Sequence, residues 1–224
     1  MRLVRGSAET PAADREVTDQ LVSAVGETTE PVVRVWQPPR QVAFGRRDTY
    51  RDGYGGARQH LSERDVPHVE RTTGGHAVFF SGTTVSFLRA TPVEDGRSSI
   101  TDRYEATIEV VREALSQLGV EASDGEPDGA FCPGTHSLSA DGKIVGLAQR
   151  VRRDTAVISG IVVVSDHEEI NEVLDPVYRA LEIPFERTAT GSIARAGGDS
   201  DPERVCRELE RVLSGGGVTV ERVG

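Results

Sequence analysis

The segment that most constrains the fold of this 224-residue chain is residues 156–164, which read AVISGIVVV. A nearly all-apolar run of this length is typical of a strand that is covered on both faces. We therefore predict that it forms a central strand of a sheet. Residues 143–149 predict the strand before it along the chain.

Other segments predict both helices and strands. Apolar residues at helical spacing indicate helices over 11–25, 101–118 and 170–181, and a last helix capped by Asp201 with Pro202 first. Strands are predicted over 32–36 and 41–44. Two short apolar runs, 77–80 and 84–88, flank Ser81-Gly82-Thr83 and predict a hairpin. Because the elements do not alternate strictly, the pattern favours an α+β fold with a mixed β-sheet and packed helices.

The length of the chain, 1–224, predicts one large domain or one with a small appendage, and a breaker cluster at 197–202 marks the start of a C-terminal helix and short tail over 197–224. No apolar stretch has spanning length, so we expect no transmembrane helix. The N-terminus is basic without a following apolar run and does not resemble a secretory signal. Two distant cysteines, Cys132 and Cys206, favour a reducing, cytoplasmic compartment.

The charge balance excludes two classes of partner. The net charge is −10, so long-range attraction to nucleic acid or to an anionic membrane is not expected. Of the 26 basic residues one is lysine, and the rest are arginine. An acidic, arginine-rich chain is typical of a halophile, and codon bias from high GC content is the alternative explanation.

The single lysine, Lys143, is a candidate catalytic residue. A chain that has discarded lysine elsewhere keeps one where an amine is needed, because a guanidinium cannot readily give up a proton. The alternative is that Lys143 survived by chance. Cys132 is the second candidate, because it precedes a Pro133-Gly134 turn at the end of a polar loop. Positive charge beside such a thiol makes the thiolate available for attack, whereas a small buried hydrophobe is the alternative role.

A glycine turn lies upstream of both. Gly74 and Gly75 stand just before a predicted strand, where a turn without side chains lets the backbone approach a ligand. Arg71 before them could bind a carboxylate or phosphate. His76 after them is by itself more often structural than a general base.

Four blocks of sequence resemble the biotin/lipoate protein ligase family in order and spacing, namely 34–36, 42–46, 71–75 and 142–150. The resemblance extends from the first predicted helix to about residue 195, and it implies a single catalytic domain over 1–224 with a core over about 1–195. Lys143 followed by Gly146 is the most telling element. Cys132-Pro133-Gly134 resembles the cysteine-dependent octanoyl and lipoyl amidotransferases of that family. The resemblance implies the family's mixed-sheet fold, an acyl thioester on Cys132, Lys143 beside the acyl carbonyl, and a glycine turn bordering the acyl chain. It implies Arg71, Gly74, Gly75, His76 and Gly146 as substrate-binding residues.

The sequence also departs from the family pattern. His76 stands where many ligases have a third glycine, Ser159-Gly160 replaces a frequent His-Gly, and Ser137 replaces an aspartate common among the amidotransferases. The first two weaken the case for ATP-dependent adenylation, and the third leaves the amidotransferase reading open.

Three hypotheses follow. The first is an acyltransferase with a Cys132 thioester that needs no cofactor and no metal. The second is an ATP- and Mg-dependent ligase that forms lipoyl-adenylate. The third is a protein that only binds a lipoyl domain or an acyl chain. The expected partners are lipoyl-carrier domains, namely the glycine cleavage H protein and the 2-oxoacid dehydrogenase acyltransferase subunits.

Overall fold

The computed structural model describes residues 1–71, 75–93, 99–152 and 154–223. In chain order its elements are β1 (Arg2–Arg5), α1 (Pro11–Thr28), β2 (Val32–Trp36), β3 (Gln41–Phe44), α2 (Tyr54–Ser62), β4 (His68–Glu70), β5 (Val78–Phe80), β6 (Val85–Pro92), α3 (Ile100–Gln117), β7 (Ser123–Asp124), β8 (Ser137–Ser139), β9 (Lys143–Val151), β10 (Thr155–Val162), α4 (His167–Ala180), α5 (Pro202–Ser214) and β11 (Thr219–Arg222).

A large mixed sheet forms the centre of the fold, as the sequence predicts. Its strand order is β11-β1-β2-β6-β10-β9-β8-β7. The pairs β11/β1 and β1/β2 are parallel, and the remaining neighbours are antiparallel. β10 pairs with β6 on one side and β9 on the other, so the prediction of a central strand is confirmed.

The predicted hairpin over 77–88 is wrong. β5 pairs with β3 in a second sheet of order β4-β3-β5, whereas β6 pairs with β2 and β10 in the large sheet. The turn between them is closed by side chains: the Ser81 backbone N–H donates to Thr84 Oγ1 at 3.0 Å, and the two hydroxyls lie 2.9 Å apart. The tight turn therefore carries the chain from one sheet to the other.

Helices cover both faces of the large sheet. On one face Val33 and Val35 of β2 pack in a cluster with α3 and α5, and on the other Val32 and Trp36 pack under α1. The small sheet packs against α2 and α4 in a third cluster. Within the described ranges, no helix is both long and apolar enough to span a membrane.

Buried charge fixes the side chain of Trp36. Arg34, with no exposed surface, donates from Nη2 to Asp14 Oδ1 at 2.5 Å, and Trp36 Nε1 donates to Asp14 Oδ2 at 2.9 Å. A buried carboxylate that is both ion-paired and hydrogen-bonded holds its donors in one geometry. Asp14 on α1 therefore sets the position of the indole ring of β2.

Candidate active site

A cavity of about 200 Å³ opens where the two sheets meet, and most of its wall is apolar. Trp36, Phe80, Phe87 and Phe131 supply aromatic surface, and Arg71 and Lys143 are its two cationic residues among those that the structure describes. The remaining lining residues are Val78, Ser86, Cys132, Gly134, Ser137, Gly146, Leu147, Ala148, Ser159, Gly160 and Ile161. An apolar cavity with few polar groups is the usual form of a site for a small apolar ligand.

Two glycines in the cavity wall lie where a side chain would meet a neighbouring side chain. Gly160 of β10 has no side chain, and a Cβ there would overlap the Phe87 ring and lie 2.8 Å from Leu147 Cδ2. The Phe87 ring therefore occupies the space that a side chain at 160 would fill. Gly146 acts similarly beside the lysine, because a Cβ there would lie 3.1 Å from Lys143 Cε.

Cys132 is held in an uncommon backbone conformation, with φ of +42°. Its backbone N–H donates to Tyr178 Oη at 2.5 Å, and the Tyr178 hydroxyl donates to the Ala77 carbonyl oxygen at 2.8 Å. Burial raises the pKa of Tyr178 well above the usual value for a phenol, so the hydroxyl keeps its proton. Left-handed conformations of residues with a side chain persist where surrounding contacts fix them. Tyr178 is such a contact. The helical pattern over 170–181 did not reveal this role, and the available signal was a tyrosine, whose hydroxyl needs a hydrogen-bond partner when buried, on the apolar face of the predicted helix.

The sulfur atom of Cys132 contacts an arginine. Arg71 Nη2 donates to Cys132 Sγ at 3.2 Å and to the His76 carbonyl oxygen at 2.6 Å. Gly75 lies against both groups: its φ is +88°, and a Cβ there would lie 2.7 Å from Cys132 Sγ and 3.2 Å from Arg71 Nη2. A side chain at position 75 would thus separate the guanidinium from the thiol.

Lys143 begins β9 and is almost fully buried, with 1% of its surface exposed. Its Nζ lies 3.0 Å from the Phe131 carbonyl oxygen, 2.9 Å from the Cys132 carbonyl oxygen and 2.6 Å from Glu126 Oε2. An ammonium group has three N–H donors, and these three acceptors use all of them. Lys143 therefore binds the backbone of Cys132, and its counter-charge is Glu126.

Glu126 ties the cysteine loop to β8, a role that the sequence patterns did not reveal. Its Oε1 accepts the Gly134 backbone N–H at 2.7 Å, and its Oε2 accepts the Ser137 hydroxyl at 2.7 Å. One carboxylate thus joins the Pro-Gly turn, Ser137 and Lys143. The acidic composition of residues 121–129 marked a loop, and no spacing within it distinguished Glu126 from its neighbours.

The ring of His76, another candidate from the sequence, falls outside this cluster. The His76 ring is absent from the cavity wall described above, and its Nδ1 lies 2.6 Å from Oδ1 of the fully buried Asp48. Asp48 also accepts the Gly45 backbone N–H at 2.9 Å. The His76 ring therefore links its turn to buried Asp48, and the His76 carbonyl oxygen accepts a hydrogen bond from Arg71. Gly74 lies outside the described residues. The structure brings together Cys132, Arg71, Gly75, Lys143 and Gly146, which come from three separate segments.

Cys206 has a different environment. It lies on α5 against the cluster between that helix, α3 and the large sheet. Burial raises the pKa of its thiol to about 12, and the nearby carboxylates of Glu210, Asp201 and Glu203 act in the same direction. A thiol of this kind is unreactive at neutral pH.

Comparison with known proteins agrees with the fold. The family model for the lipoyl protein ligase A/B catalytic domain matches residues 10–200. The octanoyl-[GcvH]:protein N-octanoyltransferase of Geobacillus kaustophilus (strain HTA426) is 31% identical over 144 residues, which cover 63% of this chain and 51% of the relative. The chain thus spans about half the length of the curated relatives that it matches.

Two solved structures have the same fold. Lipoate-protein ligase A bound with ATP is 19% identical, with a TM-score of 0.75 over 100% of this chain and 90% of the other. The bi-partite lipoate protein ligase from Thermoplasma acidophilum, studied with its E2 lipoyl domain, is 17% identical, with a TM-score of 0.70 over 100% of this chain and 88% of the other. At these identities the structures show the fold alone.

Proposed function

The chain belongs to the lipoyl protein ligase A/B catalytic domain family, and from this membership we propose that it transfers an octanoyl or lipoyl group to a lysine of a lipoyl-carrier domain. The observation that carries the proposal is the position of Cys132. Its thiol lines an apolar cavity, in contact with a guanidinium, so an acyl chain in the cavity would present its carbonyl carbon near a nucleophile. Residues 1–224 act in this proposal as one catalytic domain.

The reaction has two balanced halves. In the first, Sγ of Cys132 attacks the acyl carbonyl of the donor: the S–C bond forms, the C–N bond to the donor lysine breaks, and the leaving amine takes the thiol proton. In the second, the acceptor lysine attacks the thioester: the new C–N bond forms, the C–S bond breaks, and the acceptor's proton returns to sulfur. One amide replaces another, so the reaction consumes no ATP and needs no metal.

Lys143 is the second candidate catalytic residue. As a donor to the acyl carbonyl it would stabilise the negative charge that develops there. Since all three N–H donors of its ammonium already have acceptors, Lys143 must exchange one of them to reach the acyl oxygen. Arg71, Gly74, Gly75, His76 and Gly146 remain the proposed substrate-binding residues, with Gly75 and Gly146 acting through the space that they leave.

The partners in this proposal are lipoyl-carrier domains. An acylated glycine cleavage H protein is the donor, in keeping with the name octanoyl-[GcvH]:protein N-octanoyltransferase that the relatives carry. The acceptors are lipoyl domains of 2-oxoacid dehydrogenase acyltransferase subunits. The proposed compartment is the cytoplasm, where such carriers and reduced thiols occur together.

The test is acyl transfer without ATP. Octanoylated or lipoylated H protein is incubated with an unmodified lipoyl domain in the absence of ATP and magnesium, and the intact mass of the acceptor is measured. A parallel tube contains free octanoate or lipoate with ATP and magnesium. We expect modification in the first tube, and a hydroxylamine-labile acyl adduct on Cys132.

Two variants sharpen the result. Cys132→Ala should abolish transfer, and Cys206→Ala, which removes the other thiol, should not. Full activity of Cys132→Ala, or acceptor modification in the ATP tube alone with release of pyrophosphate, would assign the chain to the ATP-dependent ligases.

A further inference from the structure

We propose that the guanidinium of Arg71 is the charged partner of the reaction at Cys132, stabilising the thiolate before attack and donating to the acyl oxygen during it. This inference rests on the proposed function and deepens it. It gives Arg71 a catalytic role in place of the general carboxylate or phosphate binding that its sequence context suggested.

The first support is direct contact with the reacting atom. Arg71 Nη2 lies 3.2 Å from Cys132 Sγ, whereas Lys143 Nζ is bonded to the carbonyl oxygen of that residue. A cation in hydrogen-bond contact favours the charged form of an acidic group. Among the described residues that line the cavity, Arg71 is therefore the cation placed to stabilise the thiolate.

The second support is that the Arg71 guanidinium has N–H donors that are not used in hydrogen bonds to described residues. A guanidinium has five N–H bonds, and both side-chain hydrogen bonds of Arg71 to described residues involve Nη2. Its Nε is buried and has no hydrogen-bond partner among the described residues. A buried donor without an acceptor costs free energy, and an oxyanion beside the sulfur would satisfy it. Lys143 has no such donor to spare.

The third support is the way the surroundings fix the guanidinium. The His76 carbonyl oxygen accepts from Nη2 at 2.6 Å, and the His76 ring is itself held by buried Asp48. Gly75 leaves the space in which the guanidinium and the thiol meet. Groups held in place before the reaction stabilise developing charge without reorganisation.

Arg71 does not transfer a proton in this scheme. As sulfur bonds to the acyl carbon, the carbonyl electron pair moves to oxygen, which then accepts an N–H from Arg71. The thiol proton passes to water when the thiolate forms. When the C–N bond breaks, the electron pair on oxygen reforms the carbonyl, and the leaving amine takes a proton back from water. The guanidinium stays protonated throughout. Its two contributions, to the thiolate and to the oxyanion, can be measured separately.

The experiment compares Arg71→Gln and Arg71→Lys with wild type. The first readout is the rate at which iodoacetamide alkylates Cys132 at pH 7, followed by peptide mass spectrometry so that Cys206 is scored apart. The second is the rate of acyl-thioester formation from acylated H protein. Arg179→Gln is the matched control, because the side chain of this exposed arginine hydrogen-bonds only to Asp175 on its own helix within the described part of the chain.

We expect Arg71→Gln to alkylate about tenfold more slowly and to form the thioester about 100-fold more slowly. Arg71→Lys should recover most of the alkylation rate, since it keeps the charge, and little of the thioester rate, since it lacks the forked donors. Arg179→Gln should match wild type in both. Circular dichroism shows which variants fold. If Arg71→Gln does not fold, the rate of thioester formation by Arg71→Lys alone decides the outcome.

Alkylation of folded Arg71→Gln at the wild-type rate would overturn the proposal, and so would normal thioester formation by Arg71→Lys. Failure of the proposed function looks different. In that case wild type would give no thioester, while the alkylation comparison would still decide whether Arg71 stabilises the thiolate.

Discussion

The Nζ atom of Lys143 lies 2.9 Å from the backbone carbonyl oxygen of Cys132. The one lysine of the chain thus holds the main chain of the proposed nucleophile, while the sulfur atom contacts Arg71. Two cations therefore contact Cys132: Lys143 holds its loop through the carbonyl oxygen, and Arg71 contacts its thiol. The predictions below test this arrangement and its surroundings.

Replacing Lys143 should remove most of the transfer activity. Lys143→Met leaves the carbonyl oxygens of Phe131 and Cys132 and the carboxylate of Glu126 without their donor. Lys143→Arg keeps the charge but brings a wide planar group into a site with 1% exposure. We expect turnover to fall about 100-fold in both, measured by acceptor mass. Near wild-type turnover of Lys143→Arg would show that the lysine is a remnant of codon usage.

Glu126→Gln tests the counter-charge of Lys143. The amide keeps the shape of the carboxylate but leaves the Lys143 ammonium without an ion-pair partner. Both side chains are largely buried, with 2% of Lys143 and 13% of Glu126 exposed, so water cannot replace the lost charge. We expect the free energy of unfolding in urea to fall by about 3 kcal/mol, together with transfer activity. Glu121→Gln, on the other side of β7 and exposed, should change stability by less than about 0.5 kcal/mol. Equal effects of the two variants would mean that the Glu126 pair contributes little.

Gly160→Ala should block acyl-chain binding. The new methyl group would overlap the Phe87 ring and force it into the cavity, at a cost of about 1–3 kcal/mol in stability. Trp36 is the single tryptophan of the chain and lines the cavity, so its fluorescence reports acyl-chain binding directly. Octanoate should change the emission of wild type and leave that of Gly160→Ala unchanged. Gly55→Ala, where a methyl group meets nothing within 4 Å, is the control. An unaltered titration of Gly160→Ala would place the acyl chain elsewhere.

Cys206 predicts a loss of stability at alkaline pH. Burial raises the pKa of its thiol from 9.0 to about 12, so between these values the unfolded chain has released the proton and the folded chain retains it. Because the folded state then binds more protons than the unfolded state, the free energy of unfolding falls as pH rises. The contribution of the protonated, buried Cys206 thiol to stability is full below pH 9 and declines towards pH 12. Cys206→Ala should therefore lose less stability than wild type between pH 8.5 and pH 10.5 in urea unfolding. Parallel curves for the two proteins would contradict the raised pKa.

Salt should stabilise the protein if the missing lysines reflect a halophilic origin. A net charge of −10 produces self-repulsion that molar salt screens. We expect the thermal unfolding midpoint to rise steeply from dilute buffer to molar KCl. A flat midpoint would favour GC-rich codon usage as the cause.

The sequence by itself determined the elements whose signals are local. Helical spacing and end signals predicted α3 and α5, and structure bears out both, including Asp201 as the cap of α5. The apolar run at 156–164 determined that β10 is central, because a strand that is apolar on both faces must be covered on both. The fold class followed from the mixed order of elements, since periodicity records which faces are buried.

Pairing was decided by the tertiary structure. β1 was missed because Arg2–Arg5 is short and half polar, and its pairing partners are β2 and the distant β11. The run after Ser81 reads as the second strand of a hairpin, yet it joins the other sheet. A local turn signal shows that the chain reverses and contains no information about which strand lies alongside.

The same division holds at the site. The sequence singled out Cys132 and Lys143 because their residue types are unusual in their positions, which is a local property. It could not show that Arg71, 61 residues away, contacts the thiol, or that Glu126 and Tyr178 hold the loop. Those contacts exist because the end of β4, the start of β9 and helix α4 pack around the Cys132 loop. Convergence of distant segments depends on how the whole core packs, and no single segment of the chain encodes it.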